Sequence, residues 1–234
     1  MATDSPDATA PAKLTPALIK HLRITGLWVI LIVIVIVSIQ LALPDVVTVG
    51  PTWLVPFIEL IGIPVILLLI FFGGEHPRLV QGAMSAFLVL LVLASVMNAL
   101  LLLLSLLNGF TEQGGPLLFA GFGVLIINVL SFGLVYWWAD AGGPVLRAEG
   151  RPATPDFLFP QQGMDDMADW QPGLLDYLFT AYTNIIAFSP TDTMPLSKRV
   201  KVLFVIQSST AVLTIVVTLS RAINLIPGGT PPAS

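Results

Sequence analysis

Five long apolar runs dominate the chain, at Ile24–Leu43, Thr52–Phe72, Leu79–Leu107, Pro116–Ala139 and Val200–Ile226. Each is long enough to cross about 30 Å of hydrocarbon, which takes roughly 20 residues of helix. A helix is the element that satisfies its own backbone there. The stretch Gly173–Phe188 breaks the pattern, because it is short and carries Asp176, Thr180, Thr183 and Asn184. Its length and polarity suit a helix that enters the membrane and returns better than one that crosses. The pattern predicts an all-α fold, a polytopic transmembrane helical bundle of five spanning helices plus one short re-entrant helix. Its divisions are a disordered cytoplasmic tail over 1–20, a four-helix transmembrane unit over 21–139, an acidic linker over 140–172, a hairpin of short helix and final span over 173–226, and a second disordered tail over 227–234.

Composition agrees: of 234 residues 56% are hydrophobic and 10% charged, and the mean hydropathy of +0.91 is too high for a soluble globular domain. The first run exceeds the roughly 7–15 apolar residues of a cleavable signal peptide, so it is expected to stay as an anchor. The absence of cysteine excludes disulfides, thiolate metal sites and cysteine nucleophiles. His21 and His76 sit at expected membrane edges, and neither has a second ligand at helical spacing. With no phosphate-binding glycine loop and no nucleophile elbow, no enzyme activity, metal or cofactor is expected, and no nucleic-acid partner. Gly121, Gly123 and Gly133 are expected at close helix contacts.

The placement of basic residues says more than the net charge of −4. Lys13, Lys20 and Arg23 precede the first run and set the N-terminus in the cytoplasm. The loops then expected outside, around Pro44–Pro51 and Asn108–Gly115, hold no Lys or Arg, whereas Arg78, Arg147 and Arg151 fall inside. If Gly173–Phe188 enters and returns, Lys198, Arg199 and Lys201 also lie inside, as anchors touching lipid phosphates, and only Arg221 lies toward the outer face. If that stretch crosses fully, those three move outside. Charge placement therefore favours the returning loop.

The C-terminal quarter carries the most specific pattern. A threonine-bearing short helix runs into Ala187, Phe188, Ser189, Pro190, Thr191 and Asp192, then Thr193, Met194, Pro195, Leu196 and Ser197, and then the last apolar run. This resembles the pore helix, selectivity filter and inner helix of potassium-channel pore domains, in which a T-V-G-Y-G-D run precedes M-Y-P-V-T. The acid and the proline keep their places, but both filter glycines are absent. A ladder of carbonyls around an ion needs backbone at positive φ, which glycine supplies and a β-branched residue does not. Pro190 also fixes its own φ and pushes Ser189 to an extended conformation. The AFSPTDTMPLS core is further similar to a group of bacterial integral membrane proteins grouped with ion channels on this resemblance. It implies a cation channel that is not potassium-selective, in a bacterial cytoplasmic membrane, with Thr183, Asn184, Ser189, Thr191 and Asp192 as pore-lining candidates. One loop per chain then implies a homo-oligomer, a tetramer, passing monovalent cations.

Each of these residues also has a plainer reading. Thr180, Thr183 and Asn184 share one helix face, which serves interhelical hydrogen bonds as readily as a pore. Ser189–Asp192 fit a capped turn between two helices. The linker acids Asp140, Glu149, Asp156, Asp165, Asp166 and Asp169 form either an acidic vestibule or a solvated loop, and Trp137, Trp138 and Trp170 suit an interfacial belt. Glu59 is the sharpest signal elsewhere, a carboxyl inside an apolar run. With a returning loop, at 1.5 Å per residue it lies roughly 12 Å below the outer end of its helix and Arg221 roughly 7–8 Å below the same face, so the two can form an intramembrane charge pair. An ion or proton site and a protonated, hydrogen-bonded carboxyl are the other readings of Glu59. Two further readings stay open, a small secondary transporter using Glu59 and a non-conducting scaffold or accessory subunit.

Overall fold

A computed structural model describes residues 16–44, 51, 53–72, 77–108, 114–144, 147, 154–167, 170–186 and 193–225. Its long helices are α1 (Pro16–Ala42), α2 (Leu54–Phe72), α3 (Pro77–Leu107), α4 (Gly114–Ala139) and α6 (Lys198–Leu225), with the shorter α5 (Leu174–Ile186) before the last. Four of them, α1, α3, α4 and α6, contain described stretches long and apolar enough to cross a membrane. They mark an all-α, multi-pass membrane protein. The first helix begins at Pro16, inside the stretch expected as tail, while the tail over 227–234 lies outside the described residues.

Local propensity alone does not make α1 helical. Its core, WVILIVIVIV, is rich in β-branched residues that lose side-chain freedom in a helix. In hydrocarbon the obligation to pair every backbone N–H and C=O internally outweighs that small cost. The same obligation lets α2 carry Pro64 inside it.

The central helix is α4, which packs on α1, α3, α5 and α6 and buries Leu117, Val124, Ile127, Phe132, Leu134 and Tyr136. Close approach rests on the expected glycines. A Cβ at Gly121 would lie 2.5 Å from Thr218 of α6, one at Gly123 3.0 Å from Leu43, and one at Gly133 2.7 Å from Leu178 of α5. Gly62, which the sequence did not single out, is tighter still: a Cβ there would fall 1.9 Å from the Phe87 ring and push α2 off α3.

The described part of the segment between α4 and α5 forms a cap. Phe157–Leu158 forms β1 and pairs antiparallel with β2, Met194–Pro195, in the register Phe157 to Pro195 and Leu158 to Met194. The Phe157 ring stands in an aromatic cluster with Tyr136, Phe159, Tyr177 and Phe204, at centroid distances of 5.4, 6.1, 5.6 and 6.0 Å. These contacts join residues from α4, the connecting segment, α5 and α6 at one end of the bundle. Trp137, Trp138 and Trp170 each make contacts within the protein. Trp137 is buried, Trp138 donates its indole N–H to Ser85 Oγ at 2.9 Å, and Trp170 stacks near Phe159.

Candidate functional site

Three helix ends meet at a pair of buried aspartates. Asp140, directly after α4, accepts from the backbone amides of Asp156 at 2.7 Å and Phe157 at 3.3 Å through Oδ1, and from the Tyr177 hydroxyl of α5 at 2.5 Å through Oδ2. Ala141 has φ 48° and Gly143 φ 107°, a left-handed turn that folds the chain back over the end of α4. Arg147 closes this turn by donating to the carbonyls of Asp140 at 2.6 Å and Trp137 at 2.9 Å, with its guanidinium 5.3 Å from the centre of the Tyr177 ring.

The second aspartate ties in α6. Asp156 accepts from Arg199 Nε at 2.9 Å and Nη2 at 2.5 Å and from the Ala141 amide at 3.1 Å, while its carbonyl accepts from Leu196 N–H at 2.8 Å. Arg199 also donates to the Ala139 carbonyl at 3.0 Å. Burial pushes the Asp156 carboxyl up, but hydrogen bonds from Arg199 and Ser197, the Arg199 charge and the Ala141 amide outweigh it and hold the group below the usual carboxylate range. Both short-range starts are capped locally. Asp176 reaches back to Gly173 N–H at 2.7 Å, and Ser197 Oγ accepts from Val200 N–H at 3.4 Å.

A second polar junction lies deeper, around Gln207 of α6. Its Oε1 accepts from the Tyr136 hydroxyl of α4 at 2.7 Å and from Asn184 Nδ2 of α5 at 2.8 Å, and its Nε2 donates to the Ala181 carbonyl at 3.0 Å. Asn184 also donates to the Phe204 carbonyl at 3.3 Å. Thr183 is buried and donates to the Phe179 carbonyl at 2.9 Å. Asn184 therefore points its amide into the contact of α5 with α6, whereas the buried Thr183 hydroxyl bonds back to the backbone of α5 at Phe179 and Thr180. The opposite face of α5 is apolar and outward, with Leu175, Phe179, Tyr182 and Ile186 all at least half exposed.

Several expected placements change. Glu59 and Arg221 form no ion pair: Glu59 Oε1 accepts from Gln40 Nε2 of α1 at 2.9 Å, and Arg221 Nε is buried with no hydrogen-bond partner. The reason is lateral, since α2 packs on α1 and α3, whereas Arg221 belongs to α6, which packs on α3, α4 and α5. Arg199, expected as a lipid anchor with Lys198 and Lys201, is the ion-pair partner of Asp156, while the two lysines are exposed. Asp140 and Asp156 are buried and consumed by local bonds, so neither contributes to an acidic vestibule, and Asp165 and Asp166 remain at the surface. Ser189, Thr191 and Asp192 lie outside the described residues.

The sequence offered quieter signals for the residues it missed. Gln40 is the one amide inside its apolar run, the same anomaly that singled out Glu59, and Gln207 stands in the last run directly after the apolar stretch Val202–Ile206, just before Ser208. Comparison with protein-family models, curated proteins and solved structures finds no match to this chain.

Proposed function

We propose that this is a channel-like protein of the bacterial cytoplasmic membrane, with five spanning helices, in which α5 enters the bilayer without crossing it. The observation carrying this reading is that α5 and α6, consecutive in the chain, run side by side in the same direction. Tyr177 near the start of α5 and Arg199 near the start of α6 both reach the Asp140–Asp156 cap. Further along, Asn184 and Gln207 meet, each roughly 10–12 Å deeper at 1.5 Å per residue. Two consecutive helices lying parallel support a pore-loop arrangement of this hairpin.

On this reading Thr183 and Asn184 seat the loop helix, and Ser189, Thr191 and Asp192 face the ions. The missing glycines argue against potassium selectivity, so the proposed cargo is monovalent cations without that preference, passed by a homo-oligomer of four chains. Placement of the basic residues supports a loop that enters from the cytoplasm, with the N-terminus on the same side.

Topology tests the reading first. Single cysteines replacing exposed Gly163 and Leu196 should label with a membrane-impermeant maleimide from the same side, and labelling from opposite sides would overturn it. Proteoliposomes of the full chain should then carry cation flux that Asp192→Asn reduces; flux unchanged by that substitution would remove Asp192 from the conduit.

A further inference from the structure

The Glu59–Gln40 contact carries an inference that is independent of the loop and rests on the proposed placement of α2 in the membrane. Both side chains are buried, at 0% and 2% exposure, and Gln40 Nε2 donates to Glu59 Oε1 at 2.9 Å. The remaining oxygens of the same two groups, Glu59 Oε2 and Gln40 Oε1, are both buried and both lack a partner. While Glu59 is ionised these are two acceptors with no donor between them. One proton on Oε2 would make that oxygen a donor, the group that Gln40 Oε1 lacks.

Among the described residues the surroundings offer no alternative. The helices packed on α2 are α1 and α3, and from Ile24 to Ala42 and from Gln81 to Leu107 their sequences contain no charged residue and no histidine. Within α2 Glu59 is the sole titratable group. Arg23 stands roughly 25 Å along α1 from Gln40, and Arg78, in the first turn of α3, stands roughly 13 Å along that helix from Phe87, which meets Gly62. Asp45 and Glu75 lie outside the described residues and are acids that offer Glu59 no cation. A carboxyl in hydrocarbon with no cation beside it is neutralised by taking up a proton.

We infer that Glu59 and Gln40 form an intramembrane proton-binding site, in which Glu59 is a neutral carboxylic acid clasped by the Gln40 amide through two hydrogen bonds. The bound proton is part of the α1–α2 contact. Its departure sets a carboxylate oxygen against a carbonyl oxygen and loosens that contact, so proton occupancy and the seating of α2 are linked.

Infrared spectroscopy of the full chain in liposomes at neutral pH tests this. Wild type should show a protonated-carboxyl C=O band that Glu59→Gln abolishes. Because the amide introduced by Glu59→Gln makes both bonds to Gln40, that variant is expected to fold. Gln40→Leu should move the band to the higher frequency of a free acid, and Gln40→Asn, which withdraws the amide by one methylene, serves if the leucine variant does not insert. Dicyclohexylcarbodiimide should add to Glu59, the carboxyl proton passing to a carbodiimide nitrogen and the carboxyl oxygen to its central carbon, with no leaving group. A spectrum in which Glu59→Gln removes no protonated-carboxyl band would show Glu59 ionised and overturn the site. A band that neither Gln40 substitution moves would overturn the clasp.

Discussion

The two ends of the polar content of this protein handle acids in opposite ways. At the junction of α4, α5 and α6, Asp140 receives two backbone amides and a tyrosine hydroxyl, and Asp156 receives an arginine and another amide. Between α1 and α2, Glu59 receives one amide N–H and leaves an oxygen unpartnered. Donors drawn from the connecting segment and from two helices, α5 and α6, make the aspartates part of the scaffold. A carboxyl with one neutral neighbour and no cation has chemical capacity to spare, and that marks it as a site.

Substitutions sharpen this contrast. Asp140→Ala strips partners from Tyr177 and from two buried amides and should cost about 3 kcal/mol or more, read as a lowered thermal midpoint in detergent. Gln207→Leu, which unseats Asn184, Tyr136 and the Ala181 carbonyl together, should cost about 2 kcal/mol, with enhanced proteolysis between α5 and α6 as a second readout. Arg199→Ala should cost less, about 1 kcal/mol, because the Arg199 side chain is 61% exposed and its attraction is screened. That ion pair also has a pH signature. Since the folded protein holds the Asp156 carboxyl below its ordinary value, its contribution is present at neutral pH and is lost as pH falls through the depressed folded value, and Arg199→Ala should flatten the acid limb of the stability curve. Glu59→Gln should have the smallest effect, under about 1 kcal/mol, because the new amide preserves both bonds of the clasp. A loss as large as that of Asp140→Ala would break the comparison and place Glu59 in the scaffold as well.

Much of the architecture was legible in the sequence because hydrocarbon imposes one rule on every span. The run Leu79–Leu107 became α3 at Pro77–Leu107, and Gly173–Phe188 became α5 at Leu174–Ile186. Depth along a helix could be counted from the sequence, whereas the choice of neighbour could not. Glu59 and Arg221 were placed at comparable depths, yet their helices lie against different partners. Charge in the linker was equally ambiguous. Asp156 and Asp165 look alike in the sequence, and only the turn at Ala141 and the pairing of β1 with β2 bring the first of them to Arg199. Arg199 resembled an anchor for the same reason, since a basic residue at a helix start suits lipid phosphate and a buried carboxylate equally.

The inverted amphipathicity of α5 has a consequence for biosynthesis. Its outward face is apolar and its inward face is polar, and that inward face is received partly by α4, made before it, and partly by Gln207 of α6, made after it. As the chain leaves the ribosome, α5 therefore has half a seat until the last span has been synthesised. The first four helices can settle while the remainder is still being translated, and α5 and α6 must come to rest as one late step.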